Sequence, residues 1–426
     1  MRSFPCTILL LVSLVSSTAA QTPAPAQSRL LDALRANRLP LTMSDGRPAG
    51  AGWDFLVREA RGARFTLIGE EHGVAETAHL SAALFTDLRA AGYSRVAVEL
   101  SPVIAQDVEA EARRTGFQGI VDFLAAPGTF TFYNLRQEAR FLADVVAAGP
   151  RTERVIWGLD REIFSDRYLI SRLGARVPPH AREAFNRLNE ASVSAGARNR
   201  QTGNPDDLFF LAGDSGLVVA LRAAWPNPDP ESALIMRTIE GSLAIEAAER
   251  AGGAWPYMQR RAEWTRSNLA ALLQADPGQK VPSRILMKFG YGHMVRGANY
   301  FHVYDIGAMA DEVAALTGDR AFHILVLPGP GSTQAALGPG GFNAVSSDSV
   351  DEFRAGDQRL ARVLSNPDAS GHEVIDLRPL RGLAMRGLDS WNPDLIRTIH
   401  GYDAVVIWKG GQASSGLSGP GEGTAR

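Results

Sequence analysis

Short, β-branched apolar runs recur along this chain, and the early ones give way to helical patterns, which narrows the folds available to it more than any other feature. The runs cover Arg64 to Ile68, Arg95 to Val98, Val155 to Gly158, Arg284 to Phe289, His323 to Leu327 and Ala404 to Trp408. Their length and composition predict buried strands. "AETAHLSAALFTDLRAAGY" is amphipathic and stops at Gly92, and "NLRQEARFLADVVAAG" repeats the form. Such alternation predicts an α/β fold: a mixed, mostly parallel sheet flanked by helices.

One long stretch breaks the alternation. Arg167 to Gln279 is rich in Ala, Leu, Arg and Glu and has almost no strand-like run. It reads as a helical insertion, about 167–280, between the third and fourth strands. Leu327 to Ser349 is glycine-rich and reads as a mobile loop beside whatever site exists. The expected organisation is a leader at 1–20, an N-terminal linker segment at 21–45, one α/β domain at 46–409 and a disordered tail at 410–426.

The leader follows from "MRSFPCTILLLVSLVSSTAA". Arg2 gives a positive start, Thr7 to Val15 an apolar core, and Thr18-Ala19-Ala20 a small-residue cleavage site. The core is shorter than the roughly 20 residues that span a bilayer. The sole cysteine, Cys6, lies inside this leader, so the mature chain offers no disulfide, cysteine nucleophile or thiolate metal site. The expectation is a periplasmic or secreted protein, with no membrane contact after cleavage. At 21% charged residues and a formal net charge of −2, there is no electrostatic case for a nucleic-acid partner. A small-molecule substrate is the expected partner, and nothing in the sequence sets an oligomeric state.

In open α/β sheets, ligands bind beyond the carboxyl ends of the strands. The first run here ends in Glu70-Glu71-His72, the second in Glu99, the third in Asp160-Arg161-Glu162, and the fourth in "KFGYGHMVRG", with Lys288, Tyr291, His293 and Arg296. Four strand ends therefore aim histidines, carboxylates and cations at one rim. Each has a plainer reading. Glu70 serves equally as an anion at a helix N-terminus, worth under about 1 kcal/mol, and Asp160 as a helix cap. Glu99 is harder to dismiss, because a carboxylate ending an apolar strand is partly buried and needs partners.

His72, Glu76 and His79 have the spacing of one helix face, but Glu76 is better placed near the site and His79 in helix packing. Neither HExxH nor GxSxG occurs. "GDSG" at Gly213 to Gly216 lies in helical surroundings with no histidine placed to serve Ser215, which argues against a serine hydrolase.

With "LIGEEHG", "VAVEL", "VIWGLD", the late His293 segment and "YDAVVIWK" in order, the chain resembles the erythromycin esterase-like group of the ChaN/Tiki superfamily over roughly its mature length. One departure is that a single residue separates Glu70 from His72, where erythromycin esterases usually have two. That spacing is more like the haem-binding ChaN proteins. The resemblance implies a cleft at the carboxyl end of the sheet and ester or lactone hydrolysis without a serine nucleophile. His72 would act as general base, Glu70 or Glu99 would orient it, and His293, Arg296 or both would stabilise the oxyanion. Glu76, Asp160, Arg161, Lys288 and Tyr291 would contact substrate. No metal or cofactor is required by this reading. The alternatives are a haem- or metal-binding protein, with Tyr291 and His293 as candidate haem ligands, or a Tiki-like metal-dependent peptidase using Glu70, His72 and His293.

Overall fold

The computed structural model describes residues 25–276, 283–338, 341–347, 364, 371–385 and 393–417; the expected leader lies outside these residues. Its centre is a nine-stranded sheet in the order β2-β1-β10-β11-β7-β3-β6-β4-β5. All six sequence-predicted strands form: β3 (Phe65–Glu70), β4 (Tyr93–Val98), β5 (Ile156–Gly158), β6 (Arg284–Gly290), β7 (Ala321–Pro328) and β11 (Ala404–Trp408). They pair with one another in parallel throughout. The fold is α/β, with a mixed, mostly parallel sheet.

Three strands absent from the sequence reading extend one edge antiparallel: β1 (Arg38–Ser44), β2 (Arg47–Ala49) and β10 (His372–Asp376). The segment 21–45 is thus not simply a linker, because a helix over Pro25–Ala36 and β1 both belong to the folded body. The stretch expected as a mobile loop forms an antiparallel hairpin, β8 (Thr333–Gly338) with β9 (Gly341–Ser346). The tail expected to be disordered is ordered through Leu417. Ala413 bridges Val74 and Gly416 bridges Leu135, and beyond Leu417 the tail lies outside the described residues.

Alternation along the strands sends side chains to two cores. Ile68 and Leu286 face one core, with helices Ala75–Leu88, Pro102–Thr115 and Arg136–Ala148. Leu67, Ile285 and Met287 face the other, with helix Ile306–Leu316. The chain leaves β3 towards the first face and β6 towards the second, although β3 and β6 are neighbours. Loops that part in this way open a crevice at the carboxyl ends of the strands.

Between β5 and β6 a run of helices extends from Asp166–Gly174 to Ala254–Ala275. Leu169, Phe185, Phe210, Ile235 and Leu243 give it its own apolar cluster, joined by Val103 of the helix after β4. Among the described residues, no helix is long and apolar enough to cross a membrane.

Candidate functional site

The crevice between β3 and β6 gathers the residues that the strand ends had suggested. Glu70, the last residue of β3, faces Gly290 across the ladder, and Ile68 faces Lys288. Two residues past the strand, His72 directs Nδ1 to Glu70 Oε1 at 3.0 Å, while its Nε2 lies 3.5 Å from Glu99 Oε2. The first contact is a hydrogen bond; the second is longer than one. With its side chain 41% exposed, His72 is open to the crevice. Phe132 lies parallel to it, ring centroids 6.3 Å apart. Gly290 permits this close packing, because a Cβ there would come within 3.1 Å of His72 Nε2.

Beneath His72 lies a buried ion triad. Lys288, fully buried, contacts Glu70 Oε1 at 2.5 Å and both oxygens of Glu138 at 2.9 and 3.0 Å. Its ammonium also lies 5.5 Å from the ring centres of Tyr133 and Phe141. Lys288 was expected to contact substrate; instead it is an internal counter-ion that fixes Glu70.

Beside His72, Glu99 accepts the backbone N–H of Gly290 at 2.8 Å and a hydrogen bond from Arg261 at 2.5 Å. Arg261 also holds Asp160 through two hydrogen bonds, at 3.0 and 2.5 Å. His293 points Nε2 towards Glu99 at 3.7 Å and fixes Nδ1 on Asp305 Oδ2 at 2.7 Å. Asp305 is doubly engaged, since its other oxygen caps the next helix through the N–H of Ile306.

This packing sets the charges. Burial disfavours charge on His72, but Glu99 and the hydrogen bond to Glu70 outweigh it and raise its pKa to about 9. His293 is also raised, burial being overcome chiefly by Asp305. Burial would raise Glu70 and Glu99, yet Lys288 lowers the first, and Arg261 with the two histidines holds the second far below the usual carboxylate range. Glu138 is raised by its burial, because the single charge of Lys288 is shared with Glu70.

The remaining predicted residues do other work. Arg296 is not an oxyanion donor: its guanidinium pairs with Asp311 and Asp403, and Asp403 precedes β11 at the opposite end of the strands. Glu76 accepts the N–H of Gln412 and fastens the C-terminal segment. Asp160 is buried against Arg261, and Arg161 pairs with Glu246 at 2.8 Å and hydrogen-bonds Tyr257. Tyr291 packs its ring edge-on to Tyr300 and its carbonyl accepts the hydroxyl of Tyr402. His79 lines a separate surface groove with Asp45 and Asp144.

Arg261, Glu138 and Asp305 were missed. Glu138 carried a signal, since it shares a helix face with Phe141, Leu142 and Val145, where an unpaired carboxylate is costly.

A cleft of about 880 Å³ adjoins the site, between the loops after β5, the insertion and the tip of β8. Phe130, Ile163, Phe164, Leu208, Leu211 and Leu337 give it an apolar wall. Phe164 and Arg161 also border the small hollow that reaches Glu99 and Asp160. The stretch expected beside the site is therefore beside it, as a hairpin.

Glu70, His72 and His293 are not arranged as a shared set of metal ligands. Glu70 and His72 face each other instead of a common point, and Glu99 carries the guanidinium of Arg261. Among the described residues, no group of three or more His, Cys, Asp or Glu side chains is arranged to hold a metal ion. His293 is buried with both ring nitrogens turned to carboxylates, so neither nitrogen is turned outward to ligate a haem iron.

No family model and no curated protein matches the sequence. Solved structures do match in fold. A protein from Bacillus cereus superposes with a TM-score of 0.57 at 15% identity, over 92% of this chain and 99% of its own. A succinoglycan biosynthesis protein gives 0.59 at 12%, over 92% and 100%. A variant of the erythromycin esterase EreC in its open conformation gives 0.54 at 14%, over 86% and 95%. At these identities the likeness is one of fold.

Proposed function

We propose that this chain, which has the erythromycin esterase-like fold, is a hydrolase of an ester or lactone in a small molecule, with His72 as general base. The observation that carries the reading is the asymmetry of His72. Its Nδ1 is fixed by Glu70, which Lys288 fixes in turn, while Nε2 has no hydrogen bond at 3.5 Å from Glu99 and opens to the crevice. In the neutral ring Nδ1–H donates to Glu70, so the lone pair is on Nε2, where a water can give up its proton. The hydroxide formed attacks the carbonyl carbon, and the imidazolium, held between Glu70 and Glu99, returns the proton to the leaving alkoxide. Negative charge on the tetrahedral oxygen is offset by the adjacent imidazolium of His72.

A base with a pKa of about 9 is unprotonated in only about one molecule per hundred at pH 7. Activity therefore increases with pH up to that value. A panel of esters and lactones assayed with and without chelator tests the reading: chelator-resistant turnover is expected, and turnover that vanishes with chelator overturns the metal-free mechanism. Support for export comes from the leader sequence alone, which places the mature start at or near Gln21. N-terminal sequencing of the exported fraction checks it, and an intact Met1 confined to the cytoplasm refutes it.

A further inference from the structure

Four phenylalanines connect the hairpin to the imidazole of His72. Phe342 on β9 stacks on Phe130, centroids 5.7 Å apart at 18°. Phe130 meets Phe164 edge-on at 5.2 Å, Phe164 meets Phe132 edge-on at 5.7 Å, and Phe132 lies parallel to His72. These rings come from three separate parts of the chain and are not sealed in a core. Phe132 is 39% exposed and Leu337, at the tip of β8, is 43% exposed. Contiguous apolar surface of this kind, rimmed by polar groups, marks a binding site more often than a surface accident.

The charges around the wall narrow the ligand. Arg161 and Glu246 neutralise each other at 2.8 Å, so neither offers a free charge to an ion. Glu249 also lines the cleft, and its carboxylate repels anions. Alternating stacked and edge-on rings present both negative faces and positive edges, which suits another aromatic ring better than a saturated one.

We infer that the cleft is a subsite for a neutral planar aromatic group, so that the substrate carries an aryl ring next to the carbonyl that His72 and its water attack. The inference rests on the hydrolase reading for the reaction but not for the binding. The cleft volume of about 880 Å³ accommodates a group larger than a single ring, so the ring is a minimum requirement.

The test compares 2,2,2-trifluoroethyl phenylacetate with 2,2,2-trifluoroethyl cyclohexylacetate, which share a leaving group without a ring and differ in the character of the acyl ring. Wild-type protein is expected to favour the phenyl ester by about 3- to 10-fold in kcat/KM. Phe164→Leu and Phe130→Leu should each reduce that preference below about 2-fold, with the circular dichroism spectrum and Tm kept close to wild type. Equal rates on the two ring esters in wild type, or a preference that survives both substitutions, overturns the subsite. Calorimetric binding of naphthalene-1-acetamide and cyclohexylacetamide separates the two readings. If no ester is turned over but the naphthyl amide binds tighter and Phe164→Leu removes the difference, the subsite stands and the hydrolase falls. If the two amides bind alike, the subsite falls whatever the turnover.

Discussion

At the scale of single residues, the site depends on which nitrogen of His72 is fixed and what fixes it. His72→Ala should lower turnover by about 10²- to 10⁴-fold, as expected for loss of a general base. The profile of kcat/KM should rise with pH towards about 9, because the active form is the unprotonated imidazole and Glu99 and Glu70 together keep the proton on. A profile that instead falls through that range would make His72 the acid and pass the role of base to a carboxylate. Lys288→Met should destabilise by about 3–5 kcal/mol in urea, because two buried carboxylates lose their cation. Adding Glu138→Gln should restore part of that loss, and no restoration would show that the triad is not the cause. Glu70, His72, Glu99 and His293 were legible because polar residues ending apolar strands of a parallel sheet have one rim to share. Arg296 misled because it follows His293 by three positions, while the turn between them carries it to Asp403. Arg261 was invisible for a different reason: it reaches Glu99 from the insertion, across a separation of 162 residues that no local pattern records.

At the scale of elements, the hairpin and the C-terminal segment converge on the residue after His72. The carbonyl of Gly73 accepts the N–H of Ala335 at 2.9 Å and that of Ser414 at 2.8 Å. Gly73 has φ 85°, and a Cβ there would lie 2.3 Å from the carbonyl oxygen of Ala335. Gly73→Ala should therefore cost about 2 kcal/mol or more and loosen the hairpin. Limited proteolysis should then cut faster within 333–346, and an unchanged cutting pattern would show that the hairpin is held elsewhere. The buried parallel strands were legible because continuous Val, Ile and Leu runs have few other uses. The edge strands were not: β1 contains Pro40, β2 has three residues, and β8 and β9 are too rich in Gly and Ala to show alternation.

At the scale of the whole molecule, the direction of each pKa shift predicts how stability follows pH. His72 and His293 are raised, so their contribution is complete below about 6.5 and is lost as pH rises through the folded values. Glu70, Glu99 and Asp160 are lowered, so theirs is present above about 4 and is lost only on strong acidification. Burial raises Glu138, Glu162 and Glu246, whose penalty is relieved as pH falls. All three groups place the optimum on the mildly acidic side of neutral, so Tm by circular dichroism should be higher near pH 6 than near pH 9. An equal or higher Tm near pH 9 would mean that the crevice contributes little to global stability. The bond from Gln412 to Glu76 has a further consequence, in time. The two are 336 residues apart in sequence, and loops of that span close late and slowly. During synthesis the turn bearing His72 emerges early and waits for residues 411–416 to arrive before its neighbour Gly73 is tied down. A nascent chain can thus pair β3, β4 and β6 while the turn around Gly73 still awaits its last contacts.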